Sequence, residues 1–90
     1  MLESLVEDYL VRRVDLAGGE TRKVKWIGRK SAPDRRVMLP TICCWVELKS
    51  PKGKLRDDQL REHKRMQKYG ELVFVIRSIN DVDEFMRLHA

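Results

Sequence analysis

Apolar residues at the start of the chain fall at helical spacing. Leu2, Leu5, Val6, Tyr9, Leu10 and Val14 recur every three or four positions, forming one face of an amphipathic helix that should end before Ala17-Gly18-Gly19. The period then changes. From Arg22 to Ile27 basic residues alternate with apolar or aromatic ones, which predicts a strand, and Arg36 to Leu39 predicts a second strand closed by Pro40. Ile42 to Leu48 is apolar throughout except for Glu47, the pattern of a central strand covered on both faces. Ser50-Pro51-Lys52-Gly53-Lys54 breaks the chain into a loop. Asp57 or Asp58 opens a helix that runs to about Tyr69 and stops at Gly70. Leu72 to Ile76 is another unbroken apolar strand, and its helical connection to the preceding strand predicts that the two lie parallel. Asn80 or Asp81 caps a last helix carrying Val82, Phe85, Met86 and Leu88. The order α-β-β-β-α-β-α predicts an α/β fold, a small mixed sheet flanked by helices, in a single domain over residues 1–90.

Size limits what this fold can bury. A chain this short removes only about 60–65% of its unfolded surface from water, a thin core that dimerisation would supplement. No apolar run reaches the roughly 20 residues that cross a bilayer. Met1-Leu2-Glu3-Ser4 is acidic where a leader peptide would be positive, so the expectation is an intracellular protein with no membrane association. Cys43 and Cys44 are adjacent on a strand and point to opposite faces, which predicts small buried filler and not a disulfide or metal pair.

Net charge is +5, but its distribution says more. Between Thr21 and Arg36 stand seven bases (Arg22, Lys23, Lys25, Arg29, Lys30, Arg35, Arg36) and one acid, Asp34; between Lys49 and Lys68 stand eight bases and three acids. Both ends of the chain are net acidic. A positive middle suits a polyanionic partner, for which Arg29, Lys30, Arg35, Arg36, Lys52, Lys54 and Arg56 are the candidate contacts. A solvated basic face is the plainer reading of the same charges.

Within that positive segment a few acids stand out. Glu47 and Lys49 are two apart on a strand, so their side chains leave the same face and can converge on one point. An ionised Glu within an apolar strand is costly unless paired or metal-bound. Taken alone, Glu-x-Lys also suits an ordinary ion pair at a strand end. Asp34 follows Pro33, whose fixed φ stiffens the turn that presents it. If the second and third strands form a hairpin around Pro40-Thr41, Asp34 lies opposite Glu47 and Lys49, and the two carboxylates can share a cation. Hard oxygen ligands of this kind suit Mg²⁺ or Mn²⁺, which assist phosphodiester hydrolysis. Glu7 projects at the edge of the first helix's buried stripe and Glu3 lies one turn earlier; either is a candidate third acid. Gln59, in the first turn of the second helix, has an amide that can orient water or phosphate. His63, one turn on, reads as a packing or partner-contact residue.

With Glu7, Pro33-Asp34, Glu47-x-Lys49 and Gln59 in this order, the chain resembles the VRR-NUC family of the PD-(D/E)xK nuclease superfamily. The likeness spans nearly the whole chain, including Lys49-Ser50-Pro51-Lys52-Gly53-Lys54-Leu55 and the closing strand Val73-Phe74-Val75-Ile76. Ser31 and Ala32 stand where the family often has Gly before the Pro-Asp, and His63 stands where a RecB-like branch would have Tyr. The resemblance implies a restriction-endonuclease-like core and a metal-dependent endodeoxyribonuclease, Holliday-junction-resolvase-like and homodimeric, acting on branched DNA with Mg²⁺ or Mn²⁺. It implies that Asp34, Glu47 and the backbone carbonyl of Leu48 ligate the metal and that Lys49 positions or activates the attacking water. Glu7 would complete the acidic cluster and Gln59 would support it. Two other readings compete: a flap or non-specific DNA nuclease, and a basic module that holds nucleic acid without cutting it.

Overall fold

A computed structural model describes residues 2–90 as one four-stranded sheet with three helices. The elements are α1 (Glu3–Leu16), β1 (Glu20–Lys23), β2 (Arg35–Met38), β3 (Cys43–Leu48), α2 (Asp57–Lys68), β4 (Val73–Ile76) and α3 (Ile79–His89). The sheet order is β1-β2-β3-β4, with the first two pairings antiparallel and β3–β4 parallel. This is the predicted α-β-β-β-α-β-α order and mixed sheet. The hairpin between β2 and β3 also matches, with Arg35 opposite Val46 and Met38 opposite Cys43.

Helix ends follow local chemistry. Gly18 and Gly70 take positive φ after α1 and α2. At each, two backbone N–H groups fold back onto the last turn: Gly18 and Gly19 donate to Asp15 and Val14, and Gly70 and Glu71 to Gln67 and Met66. Gly19 is fixed by crowding as well, since a Cβ there would lie 2.4 Å from the Met38 carbonyl oxygen. The α3 cap is Ser78, not Asn80 or Asp81. Its Oγ accepts from the Asp81 N–H at 3.0 Å while Asp81 Oδ2 accepts from the Arg77 N–H at 2.8 Å, a reciprocal arrangement that starts the helix earlier.

The two faces of the sheet differ in kind. One carries the apolar core: Val6, Leu10 and Val14 of α1 and Val82, Phe85 and Met86 of α3 close over Val37, Cys44, Val46, Leu48 and Ile76. The other is covered by α2, whose buried residues are Gln59, Glu62 and His63. Tyr9 and Arg13 of α1 both reach Asp83 of α3 and tie the two helices together.

Several local expectations change. The predicted strand over Arg22 to Ile27 is β1, which begins at Glu20 and ends at Lys23; Trp26 turns inward and Ile27 is exposed. The alternation there serves a loop with one half-buried anchor. Of the two cysteines Cys44 is buried and Cys43 is exposed, because β3 lacks a cover over its first residue on the α2 face. Leu88 is exposed, lying off the α3 face that meets the core.

Candidate active site

The end of β3 and the approach to β2 bring Asp34, Glu47 and Lys49 together. Continuing the ladder one step past Arg35–Val46 sets Asp34 against Glu47. Asp34 Oδ2 accepts from the Leu48 N–H at 2.7 Å, so this carboxylate takes a bond that a longer β2 would have made with its backbone. The Lys49 N–H donates to the Ile76 carbonyl at 3.0 Å, on the β4 side. The trans peptide therefore turns the Leu48 carbonyl toward the opposite side, where Asp34 stands. Alternation puts Lys49 on the face of Glu47.

Glu47 is buried, 4% exposed, against α2. The Gln59 side-chain N–H₂ lies 3.5 Å from Glu47 Oε2, and Gln59 Oε1 accepts from the Arg56 N–H at 2.9 Å. The amide thus both caps α2 and holds the carboxylate. His63 Nε2 lies 3.6 Å from Glu47 Oε1, and both atoms are buried without a hydrogen-bond partner. Burial pushes Glu47 up, and hydrogen bonding and like charge from Asp34 push it further, to about 8; Lys49 and Arg56 oppose the shift. Glu47 therefore keeps its proton in neutral solution. Burial pushes the His63 ring down, so it sits there as neutral imidazole.

Glu7 has a different setting. It accepts from Lys23 Nζ and from Arg35 Nε, each at 2.7 Å. Burial raises its pKa, but these two cations outweigh it and hold Glu7 below the usual range. Arg35 and Val46 lie on the α1 face, whereas Glu47 meets α2, so Glu7 and Glu47 approach from opposite faces. Glu3 is exposed in the first turn of α1. Among the described residues no three His, Cys, Asp or Glu side chains converge on one point.

That donor set still fits a hard divalent cation. Two adjacent carboxylates repel, one of their oxygens is buried without a partner, and a carbonyl faces the same side. Mg²⁺ is commonly held by one or two protein carboxylates, with water and substrate phosphate supplying the rest. A cation there would replace the proton held on Glu47.

The basic residues divide by pairing. Arg29 binds Glu62, Arg35 binds Glu7, Arg36 binds Glu71 and stacks 4.6 Å over the Trp45 ring, and Arg56 binds Asp58. Lys30, Lys52 and Lys54 are exposed and enter no ion pair among the described residues. The loop carrying Lys52 and Lys54 is fastened by Arg77, which donates to the carbonyls of Ser50 and Gly53. A cleft of about 530 Å³ between α1 and β1 contains Arg35 but not Asp34, Glu47 or Lys49. The carboxylate pair therefore sits outside it, at the end of the sheet.

Sequence reasoning missed a second polar centre under α2. Glu62 accepts from Trp26 Nε1 at 3.0 Å and pairs with Arg29 at 2.7 Å and Arg65 at 3.2 Å. It also left His63 outside the site. The signal was present, since Gln59, Glu62 and His63 fall at three- and four-residue spacing on one helix face. Ser31 has φ of +75°, and its hydroxyl donates to Asp58 at 2.6 Å. The turn before Pro33-Asp34 thus holds a non-glycine residue in the left-handed region, where glycine is favoured.

A four-stranded mixed sheet with an acidic residue before one strand and Glu-x-Lys ending its neighbour defines a restriction-endonuclease-like nuclease core. Comparisons with known proteins agree. The chain matches no family profile. It is 40% identical over 77 residues to "Putative nuclease p44" of Acyrthosiphon pisum secondary endosymbiont phage 1, covering 84% of this chain and 83% of that protein. A solved structure described as a VRR_NUC domain superposes with a TM-score of 0.89 at 39% identity, covering 94% of each chain. The chain belongs to the VRR-NUC family of nucleases.

Proposed function

We propose that residues 1–90 act as a single Mg²⁺- or Mn²⁺-dependent endodeoxyribonuclease domain, working as a homodimer on branched DNA such as a four-way junction. The observation that carries metal-dependent hydrolysis is the carboxylate pair Asp34–Glu47, of which Glu47 is buried with an Oε1 that takes no hydrogen bond. A polyanion-binding surface alone has no use for two repelling carboxylates under its phosphate-facing cations.

Asp34, Glu47 and the Leu48 carbonyl would hold the cation. When bound, it supplies charge neutralisation at the scissile phosphate and acidifies water. The Lys49 ammonium positions the attacking water and offsets charge developing on the phosphoryl oxygens. Gln59 holds Glu47 in place, which preorganises the carboxylate at no cost during reaction. Glu7 supports the site at one remove by holding Arg35, the neighbour of Asp34. Lys30, Lys52, Lys54 and the paired arginines Arg29, Arg36 and Arg56 grip backbone phosphates and set register on the duplex. Two-fold symmetry suits a junction, because paired cuts need two sites at fixed separation.

The test is cleavage of labelled four-way junction, flap and linear duplex DNA with Mg²⁺, Mn²⁺ or EDTA. Asp34→Ala and Lys49→Ala should each lose at least about a hundredfold in rate, the scale of a removed electrostatic group. Sedimentation equilibrium should give a dimer. Preference for flap or linear DNA would move the substrate assignment, and tight binding with no cutting would remove the catalytic one.

A further inference from the structure

Ile27 is 98% exposed, more than any other large apolar residue among those described. Single exposed apolar side chains are common and by themselves mean little. This one differs in how its loop is held. The segment from Val24 to Pro33 leaves the sheet and returns to it beside Asp34, with its two stems stitched by a 3.1 Å bond from the Val24 N–H to the Asp34 carbonyl. Trp26, next to Ile27, is packed edge-on against Trp45 with ring centroids 5.5 Å apart and donates to Glu62. Arg29 pairs with the same carboxylate, and Ser31 with Asp58. Gly28 takes φ of +82° and makes the turn at the tip tight. A buried carboxylate and two aromatic rings thus hold a rigid loop whose tip is an isoleucine in water.

The charge around the tip points to its occupant. Between Val24 and Pro33 there is no acid, and Lys25, Arg29 and Lys30 flank Ile27. Lys25 and Lys30 are exposed and enter no ion pair among the described residues. An apolar tip between cations matches a nucleic-acid step that is open or easily opened: the side chain meets base faces while the cations meet the phosphates on either side. A protein–protein interface more commonly carries an aromatic, methionine or arginine anchor and few lysines.

We infer that Ile27 is a wedge that inserts at an unstacked base step, as found at a branch point, with Lys25 and Lys30 on the adjoining phosphates. The loop's attachment at Asp34 ties the wedge to the carboxylate pair, so a branch held at the tip fixes which phosphate reaches Glu47 and Lys49. This rests on the reading of the chain as a DNA nuclease, and it gives that reading a source of preference for branched DNA.

The test uses the whole chain in EDTA, so that it does not depend on cleavage. The probes are a four-way junction and a linear duplex, each carrying 2-aminopurine, at the branch in the first. Wild type should raise 2-aminopurine fluorescence on the junction. Ile27→Ser should abolish the rise and weaken junction binding about tenfold, the value of one buried aliphatic side chain, with under about twofold change on linear duplex. Ile27→Leu should restore both. Lys25→Ala and Lys30→Ala should each reduce the salt slope of binding by about one. An unchanged fluorescence rise with Ile27→Ser would overturn the inference. So would a shift from dimer to monomer in Ile27→Ser with DNA signals intact, which would make the tip a contact between copies. A wild-type chain that opens the junction but cuts nothing with Mg²⁺ or Mn²⁺ would support the wedge while removing the nuclease reading.

Discussion

Replacing Glu47 by Gln should flatten the protein's stability between pH 6.5 and pH 8 when no divalent metal is present. The unfolded chain releases the Glu47 proton near 4.5, whereas the folded protein keeps it until about 8. A carboxyl whose folded pKa is raised adds stability in full below pH 4.5, and loses it as pH climbs through 8. Integrated from pH 6.5 to pH 8, the loss is roughly 1–2 kcal/mol. Other groups do not mask it. His63 is pushed down by burial, so its contribution is lost as pH falls below 6.5, outside the window. Glu7, Asp58, Asp83 and Glu84 are all held low by their partners and titrate in acid. Thermal unfolding followed by circular dichroism in EDTA should show the wild-type Tm dropping roughly 5–10 °C across the window. Glu47→Gln, which keeps the shape and removes the titration, should stay level and be the more stable at pH 8. Millimolar Mg²⁺ should raise the wild-type Tm most at the alkaline end, where Glu47 gives up its proton, and leave Glu47→Gln little changed. A level wild-type profile, or an equal slope in Glu47→Gln, would refute the account of the carboxylate pair.

Three further substitutions probe the frame around the site. Gly19→Ala would drive a methyl into the Met38 carbonyl and should cost about 2–3 kcal/mol in urea unfolding, against about 1 kcal/mol for Gly18→Ala, which has open space but positive φ. Ser31→Ala keeps the left-handed strain and loses the bond to Asp58, whereas Ser31→Gly relieves the strain. The glycine variant should therefore be the more stable of the two by about 1 kcal/mol in the same assay. Glu62→Ala removes the acceptor of Trp26 and should shift tryptophan emission to the red and speed proteolysis within residues 24–33; an unchanged spectrum would mean that packing on Trp45 alone holds the loop.

Much of the fold was legible because hydrophobic period is a local property. The 3.6-residue repeat of Leu10 and Val14, the unbroken run before Glu47 and the glycines at 18 and 70 each act within a few residues, and the helical connection dictates the parallel pairing of β3 with β4. The failures had both distant and local causes. Trp26 and Ile27 continue an alternating pattern, but Trp26 is drawn out of the sheet by Glu62, 36 residues away in the chain. Ser78 rather than Asn80 caps α3 because Asp81 turns back on Arg77.

For the site, the sequence alone determined which groups could do the chemistry. Glu47 and Lys49 share a strand face at a spacing of two, Pro33 stiffens the presentation of Asp34, and the order of these residues carries the family likeness. Tertiary structure decided the electrostatics. Only the fold buries Glu47 against Asp34 and makes it keep its proton, and only the opposed faces of the sheet commit Glu7 to Lys23 and Arg35. It also turns Gln59 and His63 onto Glu47 and leaves Ile27 in water above a buried carboxylate. Spacing along a strand or helix fixes direction over a few ångströms. Burial, like-charge repulsion and pairing depend on what other segments bring to the same point, and those segments lie tens of residues apart.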